Sequence, residues 1–167
     1  MTTSASNSSA PCGAWPSPIS ADLVAAGASP LSLPQQDGAD TYWLAGRASE
    51  GGRNTLLRQR GADVSEVTPA PFNVRTRVHE YGGGAYLVAD GVVYFSNFAD
   101  NRLYVVADGA APRALNAEDN CRYADFVRDR ARARLISVRE EHSSASAYPA
   151  AAICAIDDQG ASTVLWP

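Results

Sequence analysis

From about residue 31 onward the chain is written in short apolar or alternating runs broken by turn residues, the pattern of antiparallel sheet with tight connections. The clearest stretch runs from Ala85 to Leu115. Ala85 to Ala89 predicts a strand, Asp90-Gly91 supplies the strongest short hairpin signal, and Val92 to Ser96 predicts the partner. Asn97 to Asn101 carries Asn and Asp side chains that tolerate turn dihedrals. Arg102 to Val106 then predicts a third strand, and Asp108-Gly109 with Pro112 leads to a fourth at Arg113 to Leu115.

The same grammar recurs on both sides. Upstream, Leu31 to Leu33, the Asp37-Gly38 turn, Thr41 to Ala45, Thr55 to Arg60 and Val64 to Thr68 form one unit. Downstream, Tyr123 to Val127, a turn near Asp129, Arg134 to Arg139, Ala151 to Ile156 and Thr163 to Trp166 form another. Repetition at roughly 40 to 50 residues marks propeller blades. The predicted fold class is therefore all-β, a partial β-propeller of about three four-stranded antiparallel blades, at about 31-70, 84-116 and 121-166. A β-sandwich uses the same kind of strands and stays open at this point. Propellers typically close with about four to eight blades. Three predict an unclosed arc, a fragment or a chain that needs more copies or a partner, with apolar faces prone to self-association.

Residues 1-30 read differently. The first 36 residues hold one charged group, Asp22, and five of the ten prolines, so the segment predicts an extended N-terminal arm whose first dozen residues are loose. Within it, Ile19 to Ala28 predicts a short helix with Ser20 as N-cap.

Composition narrows the function classes. The 167 residues are 46% hydrophobic and 19% charged, enough apolar material for a packed core. The net charge of -4 offers no basic field to hold nucleic acid or anionic lipid. No apolar run approaches the roughly 20 residues that span a bilayer, and Met1 to Ala10 has no basic residue to start a secretory signal. These readings predict a cytoplasmic protein with no membrane or nucleic-acid partner. Cys12, Cys121 and Cys154 are far apart and form no C-x-x-C pair, and they read as buried or idle thiols. All fourteen basic residues are Arg.

The densest polar cluster is Arg75-Thr76-Arg77-Val78-His79-Glu80-Tyr81, followed at once by Gly82-Gly83-Gly84. Two arginines, an imidazole and a carboxylate beside glycines suit a channel wall that grips a peptide terminus or an acidic group. The bland alternative pairs Arg75 and Arg77 with nearby acids and lets the glycines pass close to a crowded axis. Glu140-Glu141-His142 ends a predicted strand before a long Ser and Ala loop, placing two carboxylates either to meet a ligand's amino group or as a solvated strand end. Arg128, Arg130, Arg132 and Arg134 surround Asp129 and read as a solvated hairpin turn.

Several chemistries are excluded. Gly82 to Gly84 is no phosphate loop without a Lys, and the Rossmann glycine spacing is absent. His79 and His142, the only histidines, have no metal-ligand spacing, so neither metal nor cofactor is expected. No G-x-S-x-G elbow occurs, the closest approaches at Ser29 and Ser162 lack the final glycine, and no catalytic residue is assigned.

Specific strings then carry a resemblance. Trp15-Pro16-Ser17-Pro18-Ile19-Ser20, Tyr42-Trp43-Leu44 with Gly46-Arg47, Glu50-Gly51-Gly52-Arg53, and the run from Thr68 to Gly84 that ends in three glycines resemble the N-terminal propeller of bacterial prolyl oligopeptidase family (S9) serine peptidases. Tyr94-Phe95-Ser96-Asn97, Asp100-Asn101-Arg102-Leu103-Tyr104 and Arg139-Glu140-Glu141-His142 continue it. The likeness covers nearly the whole chain from about Pro11 and is to enzymes of the dipeptidyl aminopeptidase or acylaminoacyl peptidase kind. It implies a seven-bladed propeller capping an α/β-hydrolase domain that carries Ser, Asp and His. By that implication this chain supplies no chemistry and acts as a gate admitting oligopeptides, with Arg75, Arg77, His79, Glu80, Tyr81, Glu140 and Glu141 as substrate-facing candidates. The partners implied are the remaining blades and the hydrolase domain. The competing reading is a non-catalytic propeller-like binding module.

Overall fold

A computed structural model describes residues 11-14, 17-26, 29-117, 120-142 and 148-167. The expected looseness of the first residues and the Ser and Ala loop after His142 fall largely outside this range.

Among the described residues twelve strands form three four-stranded sheets, each a simple meander in which every strand pairs antiparallel with its neighbours in sequence. The first holds β1 (Leu31–Asp37), β2 (Asp40–Arg47), β3 (Arg53–Arg60) and β4 (Asp63–Glu66). The second holds β5 (Tyr86–Ala89), β6 (Val92–Ser96), β7 (Leu103–Ala107) and β8 (Arg113–Ala114). The third holds β9 (Cys121–Asp129), β10 (Arg134–Glu141), β11 (Ala150–Ile156) and β12 (Ser162–Trp166). The β5–β6 connection is the two-residue Asp90-Gly91 hairpin, with both residues at positive φ, 55° and 75°, as a turn matching the strand twist requires.

How the sheets stack separates propeller from sandwich. The first strands lie side by side, β1 against β5 and β5 against β9, and the sheets follow one another in series rather than as one facing pair. Tyr42, Leu44, Leu56, Tyr86 and Phe95 fill the space around the first and second sheets. Leu103, Tyr123, Phe126, Leu135 and Ile156 fill that around the second and third. The molecule is an all-β arc of propeller-like blades, as the strand pattern predicts.

Polar links tie neighbouring sheets together through their first and second strands. Gln35 in β1 donates from its amide to the carbonyl of Tyr86 at 3.0 Å and accepts from the Val88 amide at 3.0 Å, so one side chain closes a small ring with β5. The hydroxyl of Tyr86 reaches back to the carbonyls of Leu33 and Tyr42. Burial pushes that phenol well above the ordinary tyrosine value. Ser96 at the end of β6 donates to the carbonyl of Tyr123 at 2.8 Å.

Upstream, α1 (Ala21–Ala26) has Ser20 as its N-cap, whose Oγ accepts from the Leu23 amide at 3.0 Å, the arrangement its sequence predicts. Among the described residues no helix is long and apolar enough to cross a membrane. Apolar side chains stay exposed on the third sheet at Val127, Ile153, Val164, Leu165 and Trp166, and on the first at Leu31 and Val64.

Candidate functional site

The site is built on the connection from the first sheet to the second. Its start is stitched down by backbone bonds. The amide of Val74 donates to the carbonyl of Asn54, that of Arg75 to Ser96, and Val74 bridges Asn97. Val74 and Val78 are buried in the core, which fixes the chain on either side of Arg75-Thr76-Arg77. Between Val78 and Gly82 the backbone turns sharply through two left-handed residues in succession, His79 at φ 54° and Glu80 at φ 61°. Left-handed backbone at a non-glycine residue costs about 1 to 3 kcal/mol and persists only when the surroundings impose it.

The surroundings are a charge network reaching from the third sheet. Glu140, near the end of β10, is buried at 4% exposure. Its Oε1 accepts from the amide of His79 at 3.1 Å and lies 3.4 Å from the Nδ1 of the same residue. Its Oε2 lies 2.8 Å from His142 Nε2 and 3.6 Å from Arg122 Nη1. That Arg122 nitrogen also donates to the carbonyl of Arg77 at 2.8 Å and to Glu80 Oε1 at 2.6 Å. The hydrogen bond from Arg122, with its charge, holds the Glu80 carboxyl below the usual carboxylate range. A buried carboxylate needs such partners, because an unpaired charge in the interior is strongly unfavourable.

His79, Glu80 and Glu140 are thus brought together, with Arg77 joining through its carbonyl. The others point elsewhere. Arg75 and Arg77 do not pair with acids among the described residues; their guanidinium groups sit over the ring of Phe98, at 4.8 and 5.3 Å from its centroid. Glu141 follows Glu140 on the strand, so it faces the opposite side, stays exposed and bonds Arg139 at 3.1 Å. The two carboxylates are therefore not presented together, and Glu140 is no solvated strand end. Tyr81 is 97% exposed.

The glycines have a measurable reason to be glycine. A Cβ on Gly84 would lie 2.8 Å from the Asp125 carboxylate. Asp125 occupies the bulge in β9, with φ 57°, and exchanges hydrogen bonds with Gly84 in both directions. The close backbone approach lies between sheets.

Arg122 is the centre of the network and is not among the expected site residues, and neither is His142, although the sequence places it at the same strand end as Glu140. Counting back from the hairpin end, where Arg134 pairs with Asp129, would place Arg122 opposite Glu141. The bulge shifts the register by one residue and sets it against Glu140. Beside the network a hollow of about 300 Å³ is lined by Asp100, Asn101, Asn120, Arg122 and His142.

Chemically, the cluster offers ion pairs, two imidazoles and an exposed phenol, and no nucleophile placed against a base. Among the described residues no group of three His, Cys, Asp or Glu side chains is arranged to hold a metal ion.

No protein-family model and no curated protein matches the chain. Solved structures do. A puromycin-hydrolyzing peptidase of Mycobacterium tuberculosis is 39% identical over 92% of this chain, with a TM-score of 0.77. A puromycin hydrolase is 32% identical over 95% of it, with a TM-score of 0.79. The chain spans 27% of the length of each. These neighbours are prolyl oligopeptidase-like peptidases, and the likeness is that of their N-terminal propeller part.

Proposed function

Starting from that kinship with prolyl oligopeptidase-type peptidases, we propose that this chain is a propeller segment that admits oligopeptides to a serine hydrolase domain lying elsewhere in the protein. The observation that carries the proposal is the arc itself: three sheets set in series with their first strands side by side, matching just over a quarter of a hydrolysing enzyme. The blades at 31-70, 84-116 and 121-166 and the arm at 1-30 are its units.

In this reading the whole enzyme is of the dipeptidyl aminopeptidase or acylaminoacyl peptidase kind, and its setting is cytoplasmic. The chain's partners are further blades, the hydrolase domain and the peptide. In this reading Arg75, Arg77, His79, Glu80 and Tyr81 lie along the substrate path, with Glu80 and Tyr81 the most accessible of the turn residues, while the buried Glu140 supports the turn from behind and Glu141 faces the other side of its strand. The chain contributes no catalytic group, and its role is selection by size and charge ahead of acyl-enzyme chemistry.

Grafting this chain in place of the matching part of the puromycin-hydrolyzing peptidase tests the reading. The hybrid is expected to cleave short peptides and spare folded proteins, and Glu80→Gln or Arg77→Ala is expected to lower peptide turnover without unfolding it. The chain alone is expected to leave aminoacyl and acyl-peptide chromogenic substrates intact. A folded hybrid without length discrimination, or turnover by the chain alone, sinks the proposal.

A further inference from the structure

The turn from Arg77 to Gly82 is held from outside itself. Glu80 has no local preference for left-handed backbone, and two such residues in succession are rarer still. The external restraints come from two residues of the third sheet. Arg122 donates to the Arg77 carbonyl at 2.8 Å and to Glu80 Oε1 at 2.6 Å, while Glu140 accepts from the His79 amide at 3.1 Å. Arg122 and Glu140 are direct cross-strand partners on β9 and β10, so a single rung of the sheet grips both halves of the turn. The turn carries the Tyr81 ring out into solvent.

We infer that Arg122 and Glu140 are positioning residues: their joint grip keeps the turn left-handed and fixes the backbone from which Tyr81 projects into solvent. With the backbone held before contact, only the two torsions of the ring are left to be ordered on meeting a ligand. The grip is a property of the unliganded chain. Only the use made of the ring rests on the peptide-admitting role proposed above.

The test uses hydrogen exchange at the His79 amide and chymotryptic cleavage of the Tyr81–Gly82 bond, neither of which needs a ligand. In the unaltered protein the His79 amide is expected to exchange about a hundredfold more slowly than an open chain, although it lies in a surface turn. Arg122→Met and Glu140→Ala are expected to speed cleavage after Tyr81 by about tenfold or more, because cleavage follows the population of the opened turn. The melting temperature is expected to fall, since each substitution takes a partner from a buried charge, and cleavage after Tyr81 is expected to rise by more than cleavage at other sites. Glu140→Gln, which keeps an acceptor for the His79 amide, is expected to retain most of the protection. Open-chain exchange at His79 in the unaltered protein overturns the inference, as does unchanged cleavage after Tyr81 in folded Arg122→Met. Should Glu140→Ala unfold, those two measurements decide. Failure of the hybrid peptidase leaves all of them unaffected.

Discussion

Asp125 and Gly84 hold each other by two hydrogen bonds: the Gly84 amide donates to Asp125 Oδ1 at 2.6 Å, and the Asp125 amide donates to the Gly84 carbonyl at 2.9 Å. The contact joins the start of the second sheet to the bulge in the third. Gly84→Ala places a methyl 2.8 Å from the carboxylate and is expected to destabilise the protein by about 1 to 3 kcal/mol in urea unfolding. Asp125→Gly suits the positive φ and removes the obstacle, so the double variant should lose less than the sum of the two singles. Simple additivity would show that the two residues do not communicate.

Tyr86→Phe removes the hydroxyl that ties β5 to the carbonyls of Leu33 and Tyr42. The ring remains, so the loss isolates the hydrogen bonds. An expected loss of about 1 to 2 kcal/mol follows from taking the donor from the buried Tyr42 carbonyl and the part-buried Leu33 carbonyl. An unchanged unfolding midpoint would mean that water replaces the phenol.

Glu66 gives a pH dependence whose sign is fixed. A hydrogen bond from Thr55, then bonds and charge from Arg53, hold its carboxyl below its ordinary 4.5. The unfolded chain therefore takes up the proton first as pH falls. The stabilisation is present above about pH 4.5 and is lost as pH drops through the lower folded value. Glu66→Gln should narrow the stability difference between pH 6 and pH 3, measured by thermal melts. An identical pH profile in the variant would remove Glu66 from the account.

The exposed apolar residues of the third sheet motivate a prediction about association. Val164, Leu165 and Trp166 on the edge strand β12 stand in solvent beside Ile153 of β11. Open apolar strand edges pair or pack with other chains. We expect the chain to self-associate with rising concentration in sedimentation, and Trp166→Glu to shift it toward monomer. A compact monomer at high concentration would contradict this.

Much of the fold was legible because its signals are local. Asp90-Gly91 fixes a hairpin by its own dihedrals, Ser20 caps α1 from three residues away, and the strand periods are written in the sequence. The site was legible only in part. The string from Arg75 to Gly84 marks the connection that carries it, yet Arg122 looks like any strand arginine. Its meeting with Glu140 depends on a single bulge at Asp125, a register change that periodicity does not reveal. Phe98 as the platform for Arg75 and Arg77 was equally hidden, since a non-local ring leaves no spacing rule.

Because each sheet is a meander whose strands pair with their neighbours in sequence, every ladder closes over a short stretch of chain. Loops that short lose little entropy on closing. Each hairpin can therefore close while the next is still emerging from the ribosome, with the Gln35 and Tyr86 bridges available once β5 is out and the Ser96 bridge only once Tyr123 follows.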